Sequence, residues 1–508
     1  MPSAAKSSHA QILKSSALIG GSSAINLLVS MIRVKFTAIY LGTFGVGLFG
    51  AYMTILGPLA TLCGLGLATS GVRQIAEAAG KGDEDKIGRS LLTVRRASKI
   101  TGLGGMLLLL AASYPLSMAT FGNAKHVLPL CVLSVTLLIG NVTGGLEAII
   151  LGLRRIRDKA AQTILGAVLG LPIVIPLLLL CGVNAVVPIV ITSSVVAMVV
   201  AWWFARRAAV APVKMTWWDT WHEAKPLLQL GAVLMFSDLI TAVAAYLQRV
   251  LIIRNLGLEA NGIYSAAWNL SNYYVGFILG AMGADFYPRL TAANENNAEV
   301  NRLVNEQTEV GLLLAVPGIL ATMLLAPLVI RVFYTSDFLP AVEVLRWQTL
   351  GLMLRLVSWP MGFIMLAQGA KRWYFWTEFS TNVASVALIW GGIRFCGLKG
   401  TGIAFFALSL FHTGLMLLVS RRLSGFSWSA ANLRLLAATA GLLTIATVAS
   451  FQLPLLWNMS LGAVLFLAAS WHTVTTLTKL TGQNPIIAGW EKLANLFPFK
   501  MKPSDPPA

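Results

Sequence analysis

The sequence predicts an all-α integral membrane protein of about fourteen transmembrane helices, built as two parallel six-helix lobes around a central cavity with a C-terminal helix hairpin added. Three observations predict it. Only 11% of the 508 residues are charged and 56% are hydrophobic, whereas a soluble domain carries roughly 25% charged residues. The mean hydropathy of +0.74 leaves more apolar surface than a core surrounded by water can hide. The apolar residues also fall into runs of about 20, the helix length that crosses a hydrocarbon layer of about 30 Å, and the later runs repeat features of the earlier ones.

Cutting the chain at its polar clusters gives fourteen spans: 15–40, 46–70, 100–120, 128–152, 161–181, 185–205, 227–252, 262–286, 309–332, 341–368, 373–395, 401–420, 435–456 and 459–478. The first is read as a retained helix rather than a signal peptide, because it carries Arg33 and Lys35 and has no convincing small-residue cleavage site. Alternating the connections puts 28 of the 38 Lys and Arg on the side of the N-terminus, five on the opposite side and five within spans. By the positive-inside rule both termini are cytoplasmic. The bias persists to the last loop, so it also supports the span count; one helix too many or too few would reverse its sign downstream. Topology therefore accounts for most of the net charge of +18, and a nucleic-acid partner is not indicated, since no solvated basic face interleaved with aromatics is present.

An internal repeat emerges at an offset of 215 residues. IYLGTFGVGLFGAY from Ile39 parallels IRNLGLEANGIYSAAW from Ile253, matching Gly42 to Gly257, Gly47 to Gly262 and Phe49 to Tyr264; Cys181-Gly182 matches Cys396-Gly397. GLRRIR from Gly152 resembles GAKRWY from Gly369 at an offset of 217. Six spans separate the copies, so the halves share one orientation, as in transporters whose halves are related by an axis along the membrane normal. The expected organisation is a lobe over 1–210, a cytoplasmic linker over 211–226, a lobe over 227–422, a hairpin over 423–480 and a tail over 481–508. Trp217, Trp218 and Trp221 in the linker suit an interfacial belt, and Ile486, Ile487, Trp490, Leu493 and Phe497 give the tail an amphipathic helical spacing.

No enzyme chemistry, metal or cofactor is expected. His9, His126, His222, His412 and His472 form no pair at i, i+4, and Cys63, Cys131, Cys181 and Cys396 lie in or beside apolar stretches without a CxxC spacing. Gly45, Gly47 and Gly50 satisfy GxGxxG but join two apolar helices, so they read as a tight turn with close helix packing. Pro58, Pro172, Pro176, Pro317, Pro327 and Pro360 fall within spans as kinks or hinges.

Charges inside spans are the informative residues, because such groups normally face a hydrated cavity or a partner. At 1.5 Å per residue, Asp238 and Arg355 lie near the midplane, with Arg33, Lys35 and Arg249 in the outer half as a basic ring. Glu147, Asp285 and Glu378, near cytoplasmic span ends, are expected to be solvated or paired with Arg154, Arg289 and Arg372, and Glu343 and Arg346 to snorkel to the outer interface.

The LGxxGxGL turn from Leu41, its counterpart from Leu256, FYPRL at Phe286–Leu290 and QGAKR at Gln368–Arg372 resemble, in order and spacing over about residues 10–422, the Wzx-type polysaccharide flippases of the multidrug/oligosaccharidyl-lipid/polysaccharide exporter superfamily. The resemblance implies alternating access by two six-helix lobes in the bacterial inner membrane. It implies movement of an undecaprenyl-diphosphate-linked oligosaccharide, such as an O-antigen unit for lipopolysaccharide, from the cytoplasmic to the periplasmic leaflet. A polysaccharide polymerase and a chain-length regulator are implied partners, beside the lipid bilayer. Fourteen spans exceed the twelve usual in Wzx and match the peptidoglycan lipid II flippases, which keeps that reading as an alternative; an ion-coupled drug exporter of the same superfamily is the other, although it would favour a cavity of acids and aromatics over several bases. For a diphosphate cargo the substrate-binding candidates are Arg33, Lys35, Asp238, Arg249 and Arg355, with guanidinium groups suited to bidentate phosphate contacts and Asp238 suited to pairing with an arginine or carrying a coupling proton.

Overall fold

A computed structural model describes residues 2–207, 213–452 and 454–481. Among them there is no β-strand. Thirteen α-helices follow in order: α1 (Pro2–Gly64), α2 (Leu67–Lys81), α3 (Glu84–Phe121), α4 (Val127–Gly152), α5 (Ile156–Cys181), α6 (Val186–Ala205), α7 (Trp217–Ala292), α8 (Asn297–Leu324), α9 (Ala326–Phe333), α10 (Ala341–Ala367), α11 (Lys371–Ser424), α12 (Ala430–Gln452) and α13 (Leu455–Thr481). Three of these are interrupted by a non-helical glycine: Gly42 in α1, Gly257 in α7 and Gly397 in α11. The breaks divide α1, α7 and α11 into two arms each. Setting aside the short α2 and α9, fourteen segments remain, each long enough to cross a bilayer core. The expected all-α membrane architecture is what the chain forms. Amphipathic expectations for the 481–508 tail lie outside the described residues, apart from its first residue.

The breaks have a common cause. Gly42 at φ 60° and ψ −168° and Gly257 at φ 91° and ψ 174° occupy a region open only to glycine. Gly182, which ends α5, and Gly397 repeat one another at φ 51° and ψ −131° against φ 57° and ψ −138°. The repeat read from sequence is therefore a repeat of backbone turns.

Two departures from the expected boundaries have local reasons. The basic stretch from Arg73 to Lys99 is helical rather than a connection, because Leu67, Ser70, Gly71, Ile75 and Ala78 place one buried stripe on α2, and the Asp83 side chain caps α3 by accepting from the Lys86 amide at 3.0 Å. The ninth span ends earlier than expected: α8 stops at Leu324, and Pro327, which lacks an amide hydrogen, sits in the first turn of the separate α9.

The described chain forms two compact units. The first comprises Met1–Tyr273, Pro327–Gln348 and Arg372–Leu408. Its core gathers Leu41, Tyr52, Ile55, Leu109, Leu130, Leu133 and Leu178, with Tyr52 Oη within 2.9 Å of His126 Nδ1 and Phe121 stacked on the His126 ring. The second comprises Tyr274–Ala326, Thr349–Lys371 and the described part of Ser409–Ala508. Within it α12 and α13 both pack on α8. Thr473 donates to the Leu313 carbonyl at 2.7 Å and Asn432 to the Asn305 carbonyl at 2.9 Å.

Candidate functional site

The site is built where the second arm of α1 meets α7. Arg249 is half-buried; its guanidinium donates to Asn261 Oδ1 at 2.8 Å and to Ser265 Oγ, and lies 4.9 Å from the centre of the Tyr264 ring. Asn261, fully buried, donates in turn to the Gly47 carbonyl at 2.7 Å. These partners are spaced so that Asn261, Tyr264 and Ser265 share one face of α7 at i, i+3 and i+4. They orient the guanidinium without neutralising it. Among the described residues no carboxylate lies within ion-pair distance of Arg249, so its charge is balanced only by neutral dipoles and a ring face. A partly desolvated cation of this kind favours an anion, and planar guanidinium suits phosphate.

Lys35 is held by other partners. Its ammonium donates to the carbonyls of Arg331, at 2.7 Å, and of Tyr334, at and just beyond the C-terminal end of α9, where the helix dipole is negative. Lys35 is thus engaged by carbonyls at the end of α9, whereas Arg249 is engaged within α7. Arg33, two residues before Lys35, lies on a different face of the helix; it is exposed, and among the described residues it has no carboxylate partner.

Asp238 is placed elsewhere. It is exposed and lines a cavity of about 370 Å³ with Thr61, Ser98, Thr136 and Asn141, about 16 Å along α7 from Arg249. Among the described residues it forms no ion pair with Arg33, Lys35 or Arg249. Arg355, on α10 of the second unit, is exposed; one turn on, Ser358 Oγ lies 3.0 Å from His412 Nδ1.

The remaining charges were partly legible. Glu147 is paired, but with Lys159 at 2.6 Å and with Gln162 at 2.8 Å rather than with Arg154, because Lys159 and Gln162 lie on α5. Glu343 lies 3.6 Å from Lys399, and Arg346, 8% exposed, is buried rather than snorkelled. The Asp285 side chain lies outside the described residues. Asn261 and Ser265 were missed as site residues. Their signal was position: Asn261 directly precedes the repeated Gly262.

The linker docks rather than dangles. Arg89 pairs with Glu223 at 2.6 Å, and Arg96 donates to Thr220 Oγ1 at 2.7 Å and to the Met215 carbonyl at 3.0 Å while lying 4.6 Å from the Trp217 ring centre. Trp217, Trp218 and Trp221 are all exposed.

A family model described as "Polysaccharide biosynthesis protein" matches residues 47–343, which takes in both arms of α7, Asn261 and Arg249. The chain belongs to this family. A curated relative, the lipid III flippase of Escherichia coli (strain K12), is 21% identical over 423 residues, covering 81% of this chain and 99% of the relative. Among solved structures, the lipid II flippase MurJ in an inward closed conformation superposes with a TM-score of 0.69 at 13% identity, covering 92% of this chain and all of that one. An inward-facing multidrug resistance MATE family transporter of the MOP superfamily also scores 0.69, at 17% identity, covering 79% and 95%. The member of the polysaccharide biosynthesis family described here thus shares the fold of these two proteins, and the relatives it matches are transporters rather than enzymes.

Proposed function

We propose that the protein is a lipid-linked oligosaccharide flippase, carrying an undecaprenyl-diphosphate-linked glycan, such as an O-antigen repeat unit, from the cytoplasmic to the periplasmic leaflet of the bacterial inner membrane. The observation that carries the reading is the Arg249 guanidinium, held by Asn261, Ser265 and Tyr264 with no described carboxylate to neutralise it. A diphosphate head group supplies the missing anion, while the polyprenyl tail stays in lipid. Arg33 and Lys35 add positive charge on the α1 arm, Asp238 is the acid available for coupling, and Arg355 is the basic candidate of the second unit. Both termini are cytoplasmic, and residues 1–210 and 227–422 act as alternating lobes joined by the 211–226 linker, with 423–480 as an appended hairpin. The likeness to a lipid III flippase over nearly all of that protein's length supports the substrate class.

The second reading, a peptidoglycan lipid II flippase, is favoured by the hairpin: the likeness to MurJ covers 92% of the chain, and α12 and α13 are tied to α8 by side-chain hydrogen bonds. The test is deletion of the gene in its host with lipid-linked intermediates assayed by leaflet. Accumulation of undecaprenyl-diphosphate oligosaccharide in the cytoplasmic leaflet with loss of surface polysaccharide, rescued by wild type but not by Arg249→Ala, is the expected result. Normal surface polysaccharide with arrested peptidoglycan synthesis would transfer the protein to the second reading. No effect on either would point to drug efflux.

A further inference from the structure

On the flank of the first unit, α3, α4 and α6 enclose a groove of about 410 Å³ separate from the site around Arg249. Its walls are Val142, Met198, Val199 and Trp202, and its polar end consists of Arg95 and Lys99. Both cations are exposed, and among the described residues neither has an ion-pair or hydrogen-bond partner, although Arg89 and Arg96 on the same helix are both engaged. Arg206 lies 4.8 Å from the Trp202 ring centre and adds a third positive charge beside the groove.

Depth places these groups as a phospholipid would need them. Counted from the far end of each helix at about 1.5 Å per residue, Val142 on α4 lies about 22 Å in and Met198 and Trp202 on α6 about 18 and 24 Å, all within a hydrocarbon core of about 30 Å. Lys99 and Arg95 on α3 lie about 33 and 39 Å in, at and beyond its edge. An apolar channel inside the core thus ends in two cations at the interface that the charge bias assigns to the cytoplasm.

We propose that this groove holds one anionic glycerophospholipid, its phosphate between Arg95 and Lys99 and an acyl chain along Val142, Met198, Val199 and Trp202. Basic pockets between transmembrane helices on the cytoplasmic side recognise anionic lipid head groups in this way. The glycan carrier is a poorer fit, because the groove's polar end has two cations but no hydroxyl or amide side chain to receive sugars. A bound lipid here stiffens the packing of α3, α4 and α6 and is a resident component, not cargo.

The test is native mass spectrometry of the full-length protein in detergent with phosphatidylglycerol or phosphatidylcholine added at equal concentration. Wild type should retain a phosphatidylglycerol adduct at least fivefold more abundant than phosphatidylcholine. Arg95→Gln with Lys99→Gln should bring the two to the same level, and Val199→Trp, which fills the groove and keeps both charges, should reduce phosphatidylglycerol as well. The Val199→Trp arm decides the matter if the charge variant does not fold. An unchanged phosphatidylglycerol adduct in the variants, or equal retention of both lipids by wild type, overturns the proposal. So does displacement of phosphatidylglycerol by equimolar undecaprenyl diphosphate, which would assign the groove to the carrier.

Discussion

Gly47 and Gly262 face one another across the junction of α1 and α7, and each occupies the space that a side chain on the other's helix would need. A Cβ on Gly47 would come 1.9 Å from the Leu258 carbonyl oxygen, and a Cβ on Gly262 would come 1.9 Å from the carbonyl oxygen of Thr43. Thr43 and Leu258 are themselves repeat partners at an offset of 215, so the contact is reciprocal, as an approximate two-fold axis between the two glycines requires. The obstructing atoms are backbone, which cannot rotate away. Gly47→Ala and Gly262→Ala should each cost about 1–3 kcal/mol through overpacking. The check is thermal unfolding of purified protein: both variants should unfold earlier than wild type, whereas Gly57→Ala, which meets nothing within 4 Å, should not.

The turn after α4 stores strain that its repeat partner avoids. Arg154 has φ 54° and Gly369 has φ 63°, and the hydrogen bonds around them correspond one for one: Arg155 N to Ile150 O at 3.0 Å answers Ala370 N to Met365 O at 2.8 Å, and Ile156 N to Arg154 O at 2.9 Å answers Lys371 N to Gly369 O at 2.8 Å. The left-handed conformation disfavours a residue with a Cβ by about 1–2 kcal/mol. Arg154→Gly should therefore stabilise the protein by about 1 kcal/mol, and Gly369→Ala should destabilise it by a similar amount. Denaturation midpoints of the two variants measured side by side test the pair; a lower midpoint for Arg154→Gly would show that its side chain contributes more than the strain costs.

These turns also show where sequence reading reaches its limit. Hydropathy alone located the fourteen crossings, because in lipid each must satisfy its own backbone hydrogen bonds and so must be a helix of fixed length. The repeat was legible at Gly42, Gly257, Gly182 and Gly397, where only glycine serves. It was misread by two residues between GLRRIR and GAKRWY, because letter similarity aligned the two glycines Gly152 and Gly369, while the backbone aligns Arg154 with Gly369. Intramembrane charge drew attention to Arg249, but the asparagine, serine and tyrosine that hold it carry no charge and were not distinguished. Lys35 was legible as a cation and not as a cap, since its acceptors are carbonyls about 300 residues away.

At the start of α7, Asp219 accepts hydrogen bonds from the Thr216 amide at 3.0 Å and hydroxyl at 2.7 Å, and the Thr216 hydroxyl accepts from the Asp219 amide at 3.2 Å, a reciprocal cap. The hydrogen bonds from Thr216 and then the charge of Arg89 hold the Asp219 carboxyl below its ordinary value of 3.8. A depressed carboxyl stabilises the folded state above its unfolded value and loses that contribution as pH falls through the folded one. Amide hydrogen exchange over residues 217–222, corrected for intrinsic rates, should accelerate below about pH 4 in wild type. Asp219→Asn should exchange faster at neutral pH and show no acid-dependent step; an acid step that survives this substitution would place the titrating group elsewhere.

Lys35 and Arg249 should fail differently when replaced. Removing the Lys35 ammonium leaves two carbonyls at the end of α9 without their charged donor, and the neighbouring helix dipole without its cation. Lys35→Met should therefore lower stability by about 1–2 kcal/mol, with transport per folded molecule reduced less than the yield. Arg249→Ala also leaves Asn261 short of one partner, but its main consequence is loss of the unneutralised guanidinium, and transport per folded molecule should fall at least about tenfold, the equivalent of about 1.4 kcal/mol of lost head-group interaction. Arg249→Lys keeps the charge and gives up the planar fork, so it should recover stability more than transport. Glycan flipping in reconstituted vesicles, normalised to folded protein and set against the unfolding midpoint of each variant, separates the two roles. Equal transport by Arg249→Ala and wild type at matched protein would remove Arg249 from the head-group site.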